Sequence, residues 1–194
     1  MIFSDKISAI VEQLFISNDT SKLCYHSYAP TIEVAENVLK YAQNQNLEQA
    51  ELIYVAGLFH DCGYLFGYQK HEEKSMEIAE HFLRKIYVPQ EEISFINECI
   101  AATELGVKPK QEEAALLKDT DLAYGVTYNF KERGPMLRKE WELNLNKFYT
   151  NLDWEKLQLD FLENLRFESS FANLIFVSTV HDNLIFQRKL LSSV

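Results

Sequence analysis

The sequence predicts an all-α fold, a compact bundle of about eight helices. Residues recur with the period of an α-helix along most of the chain, and Ile53, Ala56, Gly57 and His60, for example, fall on one helical face. We find no β-branched alternating runs and no Asn-Gly or Asp-Gly turn of the kind that closes a β-hairpin. The six glycines and four prolines stand where breaks between helices are expected.

The first four predicted helices follow from this pattern. They cover residues 3–16, 23–44, 48–62 and 71–86. In the second, Ile32, Ala35, Val38 and Leu39 share one face. The third contains the continuous apolar run 52–59, so we expect it to be buried. The fourth follows a loop bracketed by Gly63 and Gly67.

The remaining helices are predicted at 90–103, 111–123, 136–149 and 153–190, the last with an internal break. The first of these follows Pro89 and opens with acidic residues, which suit the positive end of a helix dipole. Gly106 and Pro109 bracket the next break, and Gly134-Pro135 is predicted to form the one after it.

Charge and cysteine usage limit the class of protein. The 19 Lys and Arg against 29 Asp and Glu give a net charge of −10, which makes nucleic acid an unsuitable main partner. A small phosphate ester bound through a metal stays compatible with this charge. The three cysteines, Cys24, Cys62 and Cys99, form no CxxC pair, so we expect no disulfide framework and a reducing, cytoplasmic location.

No segment of the sequence is typical of membrane proteins or secreted precursors. There is no signal-peptide pattern, and no apolar run approaches the roughly 20 residues that span a bilayer. We therefore expect no membrane partner. We expect one domain over residues 1–194, with a core at about 23–125 and a C-terminal helical extension at about 131–194.

The dyad His60-Asp61 is the first candidate for chemistry. It stands at the end of the apolar run, so both side chains emerge from the core, where unpartnered polar groups are costly. A divalent cation satisfies both, because imidazole nitrogen and carboxylate oxygen bind Mn, Fe, Co, Ni, Zn or Mg. A helix cap beside a hydrogen-bonded core histidine explains the dyad equally well.

Two further segments carry residues of the same chemistry. Asp119 and Asp121 lie in an otherwise apolar helix, about 200° apart around its axis, so they face different ways. One of them could bind a metal while the other supports a neighbouring group. His71-Glu72 opens the fourth helix, where the acid suits the first turn and His71 could face the dyad across the glycine-bracketed loop.

In their order along the chain, these segments resemble the HD-domain superfamily of metal-dependent phosphohydrolases, most closely its small stand-alone bacterial members. The resemblance spans roughly residues 23–165. It implies a compact HD-like helical bundle, one divalent metal ion and hydrolysis of a phosphate ester. It rests on Phe59-His60-Asp61-Cys62-Gly63-Tyr64, His71-Glu72-Glu73-Lys74-Ser75, Ala101-Ala102-Thr103, Asp119-Thr120-Asp121-Leu122 and Leu137-Arg138-Lys139-Glu140.

The resemblance also implies a ligand set. The superfamily's His, His-Asp, Asp shell places the metal on His60, Asp61 and Asp121, the last because an apolar Leu122 follows it. Asp119 is then expected to support a ligand. Binuclear members have further histidines where this chain has Ala101-Ala102-Thr103, so a second metal is not expected.

The first histidine of that shell is missing. The segment Tyr25-His26, with Thr31 and Val34 behind it, sets the register and puts Pro30 where relatives have a ligand histidine. Proline offers a metal no side-chain donor. Either His26 substitutes as a fourth ligand, or the site keeps three protein ligands, or it is degenerate.

The resemblance suggests roles for the remaining candidates. Asp61 could orient the attacking water, and His26 or His71 could protonate the leaving oxygen, because an imidazole pKa near neutrality suits a general acid. Lys118 and Arg138 are candidates for binding phosphate oxygens, although solvated surface charge explains both as well. Aromatic residues that could line a ring pocket are Tyr64, Phe66, Tyr68, Tyr124 and Tyr128.

Two functions therefore fit the sequence. One is a metal-dependent phosphohydrolase acting on a nucleotide or another small phosphate ester through a metal-activated water. The alternative, suggested by Pro30, is a catalytically degenerate module of the same fold that binds a ligand or regulates a partner. The expected partner is a small phosphorylated molecule. The sequence leaves open whether the chain forms a homo-oligomer.

Overall fold

The computed structural model of the protein describes residues 2–192. Over this range it consists of helices and connecting loops, which confirms the all-α prediction. The helices are α1 (Ile2–Ser17), α2 (Tyr28–Asn44), α3 (Ala50–Phe59), α4 (His71–Lys85), α5 (Gln90–Ala102), α6 (Glu112–Val126), α7 (Phe130–Leu145), α8 (Asn151–Asn164) and α9 (Ser170–Ser192), and a 3₁₀ turn lies at Cys62–Leu65.

The described range holds nine α-helices where the sequence predicted about eight, because the last predicted helix is two. Residues 165–169 separate α8 from α9, at the internal break that the sequence indicated. The second predicted helix starts at Tyr28 and not at residue 23, since the segment before it forms turns and bends.

The predicted break at Gly134-Pro135 is wrong, because α7 begins at Phe130 and continues through Pro135. A proline in the second turn removes one backbone hydrogen bond. Burial of Phe130 and Arg133 in the turn before it stabilises the helix across this position.

The larger hydrophobic core surrounds α3. Residues 55–59 of this helix are fully or almost fully buried, as the apolar run predicted, and α1, α2, α4, α5 and α6 pack around it. Helix α1, which lies before the expected core at about 23–125, contributes buried Ile7, Val11 and Phe15.

A smaller hydrophobic cluster joins the end of α6 to the C-terminal helices. Its buried members include Val126, Phe130, Leu162 and Phe176. Helix α6 therefore contributes to both clusters and carries residues of the candidate site between them. Within residues 2–192, none of the helices combines the length and hydrophobicity that crossing a membrane requires.

Candidate metal centre

Three side chains from two places in the chain meet beside α3. His60 and Asp61 directly follow the last residue of α3, and Asp121 lies in α6. Nε2 of His60 is 3.2 Å from Oδ2 of Asp61 and 3.4 Å from Oδ1 of Asp121. One ligand atom from each residue lies within 4.8 Å of the other two, and within the described part of the chain this is the one His/Asp group so arranged.

The hydrogen bonds of His60 leave one ring nitrogen suited to a cation. Nδ1 donates to the Gly57 carbonyl over 2.7 Å, which places the free lone pair on Nε2. Nε2 is buried and has no hydrogen-bond partner, so neither carboxylate contact has hydrogen-bond geometry. One imidazole nitrogen and two carboxylate oxygens are a donor set that fits a divalent transition metal or Mg.

The electrostatics of the cluster also favour positive charge. Burial alone would lower the pKa of His60, but the adjacent carboxylates of Asp61 and Asp121 raise it well above its usual value. Burial would raise the pKa of Asp61, but His60 and His26 lower it to about 2. Asp61 is therefore a carboxylate at neutral pH, and the centre attracts cations.

Ser75 in α4 fixes the segment that carries the dyad. Its buried hydroxyl accepts a hydrogen bond from the Gly63 backbone N–H at 2.8 Å and donates one to the His60 carbonyl at 2.6 Å. Gly63 lies directly against α4, since a Cβ there would stand 1.9 Å from the His71 carbonyl oxygen. This contact explains why the sequence has glycine two residues after Asp61 and serine four residues after His71.

The structure does not bring His26 into the cluster as a fourth ligand. Its Nδ1 donates to Glu140 of α7, a fully buried carboxylate that also accepts the backbone N–H groups of Tyr25 and His26 and the Tyr68 hydroxyl. His26 therefore does not serve as the substitute ligand for the histidine that is replaced by Pro30. Pro30 itself is buried in the first turn of α2.

His26 and His71 instead sandwich the Tyr64 ring. The centroids of His26 and Tyr64 are 3.9 Å apart at an interplanar angle of 20°, and those of Tyr64 and His71 are 3.9 Å apart at 21°. Burial lowers the pKa of His71 to about 4, so this ring is neutral at pH 7. Burial would also lower the pKa of His26, but Asp61 and Glu140 raise it. His26 is thus the better proton donor of the two.

Lys118 and Asp119 point away from the centre and hold neighbouring elements. Lys118 Nζ donates to three carbonyls at the end of α5 and in the loop after it, those of Ala102, Glu104 and Val107, at 2.7–3.0 Å. The fully buried Asp119 carboxylate accepts the N–H groups of Glu168 and Ser169 and the Ser169 hydroxyl, just before α9. Of the two aspartates, it is Asp121 that the fold brings to His60.

Arg138 also lies outside the cavity beside the centre. Its guanidinium bonds to the Asn151 side chain at 2.9 Å and to the Tyr149 carbonyl, and it lies 3.6 Å from Glu142. Neither Arg138 nor Lys118 lines that cavity. The role of phosphate ligand that the sequence suggested for the two residues has no support from this placement.

The cavity has a volume of about 510 Å³ and contains Asp61 and Asp121 in its wall. Tyr25, His26, Tyr64 and His71 also line it, whereas Phe66 and Tyr128 lie outside it and are exposed. A cavity of this size is typical of small-molecule sites.

Two residues of the site were not found from the sequence. Glu140 ends the segment Leu137-Arg138-Lys139-Glu140, in which the sequence predicts Arg138 as the functional residue. Arg133 is buried in the cavity wall with its guanidinium 3.3 Å from the centroid of the Tyr124 ring, and it donates to Glu33 at 2.7 Å. No local pattern distinguishes either residue from solvated helix charges.

Comparison with known families agrees with this geometry. Residues 28–123 match the family model of the HD domain, and the chain belongs to the HD-domain superfamily. The matched range covers α2 to α5 and most of α6, including His60, Asp61 and Asp121, while α7, α8 and α9 lie beyond it. No curated protein and no solved structure matches the chain significantly.

Proposed function

We propose that this protein is a metal-dependent phosphohydrolase that cleaves a small phosphate ester, with nucleotides among the candidate substrates. The observation that carries the proposal is Nε2 of His60, which is buried without a hydrogen bond beside two carboxylates at the wall of a cavity. His60, Asp61 and Asp121 would hold one divalent ion.

A divalent ion held by these three residues would supply Lewis acidity, which would lower the pKa of a water and polarise a phosphoryl oxygen. Asp61, kept ionised by His60 and His26, orients the attacking water and accepts its proton. His26, held through Nδ1 by Glu140, has Nε2 left to protonate the leaving oxygen. Arg133 lies in the cavity wall, paired with Glu33, whereas Lys118 and Arg138, the residues that the sequence suggested for binding phosphate oxygens, do not line the cavity.

The metal content of the protein distinguishes this proposal from a purely structural role of His60 and Asp61. The sequence supplies a matched control, since His181-Asp182 repeats the His-Asp dipeptide on the exposed surface of α9. Protein purified without chelator should hold about one divalent ion per chain, and Asp182→Asn should hold as much. Asp61→Asn should lose most of it while its far-UV circular dichroism stays unchanged.

Activity is tested next, by release of inorganic phosphate from a panel of phosphate esters with the metal found. Turnover that falls with Asp61→Asn and persists with Asp182→Asn supports the proposal. Full metal content in Asp61→Asn would refute the site itself.

The second candidate is a non-catalytic module of the HD fold that binds a ligand or a partner. It is favoured by Pro30 and by a cluster that, among residues 2–192, contains three candidate ligands and no fourth. Metal-free protein that titration with Mn and Ni cannot load, with no phosphate release, would establish this alternative. A cytoplasmic location and a small phosphorylated partner stay predictions in either case.

A further inference from the structure

The cavity beside the metal centre has two chemically different ends. One end holds Asp61, Asp121, His26 and His71. The other end, here called the apolar compartment, lies between α6, α7 and α8 and is lined by Val126, Phe130, Leu137, Trp141, Trp154 and Phe161. Helix α6 connects the two ends, because Asp121 and Val126 stand five residues, about 7.5 Å, apart along it.

The wall of the apolar compartment is preformed. The rings of Trp141 and Trp154 meet edge to face with centroids 5.7 Å apart, and Tyr149 packs against both at 6.3 and 5.6 Å. Val126, Phe130 and Trp154 are at most 5% exposed. Aromatic rings locked in this way give a fixed apolar surface that needs no ordering when a ligand arrives.

Two polar side chains beside the apolar compartment already donate to other groups, while Nε1 of Trp154 is buried without a hydrogen-bond partner. The Arg133 guanidinium is bonded to Glu33 and the Tyr124 carbonyl, and the Gln158 amide donates to Glu155 at 3.3 Å. The edge of a nucleobase needs free donors and acceptors, because unpaired polar atoms are costly away from water. The single N–H of Trp154 does not match the several donors and acceptors on a nucleobase edge, whereas an apolar group gains the burial of its surface against the apolar lining.

We propose that the substrate is a phosphate monoester of an apolar alcohol, whose hydrocarbon part occupies the apolar compartment while its phosphate lies at the metal centre. This inference rests on the proposed phosphohydrolase function. The reaction adds water across the ester: the water oxygen bonds to phosphorus, and the ester oxygen leaves with the bonding pair and takes a proton from His26. The proton lost by the water passes to Asp61 and replaces, in the overall balance, the proton that His26 gives to the alcohol. The products are the free alcohol and inorganic phosphate.

Straight-chain alkyl phosphates from ethyl to octyl test the inference, because their leaving alcohols have nearly the same acidity. With the Mn-loaded protein, kcat/KM should rise about fourfold for each added methylene until the apolar compartment is full. Turnover of nucleoside monophosphates should be weaker than that of octyl phosphate.

Binding is measured separately from turnover with alkylphosphonates of the same lengths, which have no P–O–C bond to cleave. The chain has two tryptophans, and both lie in the wall of the apolar compartment, so their fluorescence reports its occupation. Leu137→Asn should weaken octylphosphonate binding at least tenfold and leave ethylphosphonate unchanged. Leu143→Asn, on the same helix but outside the cavity, is the matched control.

The turnover and the binding experiments together distinguish this inference from the phosphohydrolase function on which it rests. Active turnover with no dependence on chain length, or with a preference for nucleoside monophosphates, would overturn the inference and keep the phosphohydrolase. Length-dependent phosphonate binding without phosphate release from any ester would keep the apolar recognition and overturn the proposed hydrolysis.

Discussion

Replacing Ser75 by alanine tests how the dyad is held in place. The substitution removes the donor to the His60 carbonyl and the acceptor of the Gly63 N–H, both in a fully buried position. A buried backbone group left without a partner costs about 1–3 kcal/mol. The two together should therefore lower the free energy of unfolding by roughly 2–6 kcal/mol.

Urea unfolding followed by far-UV circular dichroism measures this loss. With a denaturant slope of about 2 kcal/mol per molar urea, the midpoint should fall by roughly 1–3 M. Ser94→Ala, at an exposed position of α5, is the control and should change stability by about 0.5 kcal/mol or less. A loss below about 1 kcal/mol for Ser75→Ala would mean that these two hydrogen bonds do not hold the dyad segment against α4.

Three further changes have distinct expected outcomes. Pro30→His should strengthen Mn binding measured by titration calorimetry, because it restores a donor and the first turn of a helix needs no N–H partner; unchanged affinity would show that position 30 does not reach the metal. Gly63→Ala should lower the thermal midpoint by several degrees, since its Cβ would overlap the His71 carbonyl, and an unchanged midpoint would contradict the close approach. In Glu140→Gln, stability should fall most near pH 6 and less at pH 9. The pKa of His26 is raised in the fold and that of Glu140 lowered, so their mutual stabilisation is present above pH 4.5 and is lost as pH rises through the His26 pKa; a difference that does not vary with pH would refute the pairing.

The fold was predictable where local pattern and packing agree. The run 52–59 could only be a buried helix in a chain without strand patterns, and α3 lies at the centre of the larger core. Pro135 shows the limit of local rules, because a proline predicts a break while the burial of Phe130 and Arg133 decides the outcome. That burial depends on contacts with distant helices, which no local window contains.

The site was predictable to the extent that its residues lie in short ordered motifs. The motif order pointed to His60, Asp61 and Asp121, which the fold brings together. The pairing of His26 with Glu140 joins residues 114 positions apart and depends on how α7 crosses the bundle. For Lys118 and Arg138, the sequence shows the charge of the side chain but not the direction in which it points. In the fold both side chains point to backbone carbonyls of neighbouring segments.

One turn of α6 links three distant parts of the chain. Lys118 holds the end of α5, Asp119 holds the start of α9, and Asp121 lies at the metal centre. The C-terminal helix α9 therefore cannot be exchanged independently of α6. A chimera that exchanges the segment after residue 165 for one from a relative must also supply N–H donors at 168 and 169, or a buried carboxylate two residues from Asp121 loses its partners.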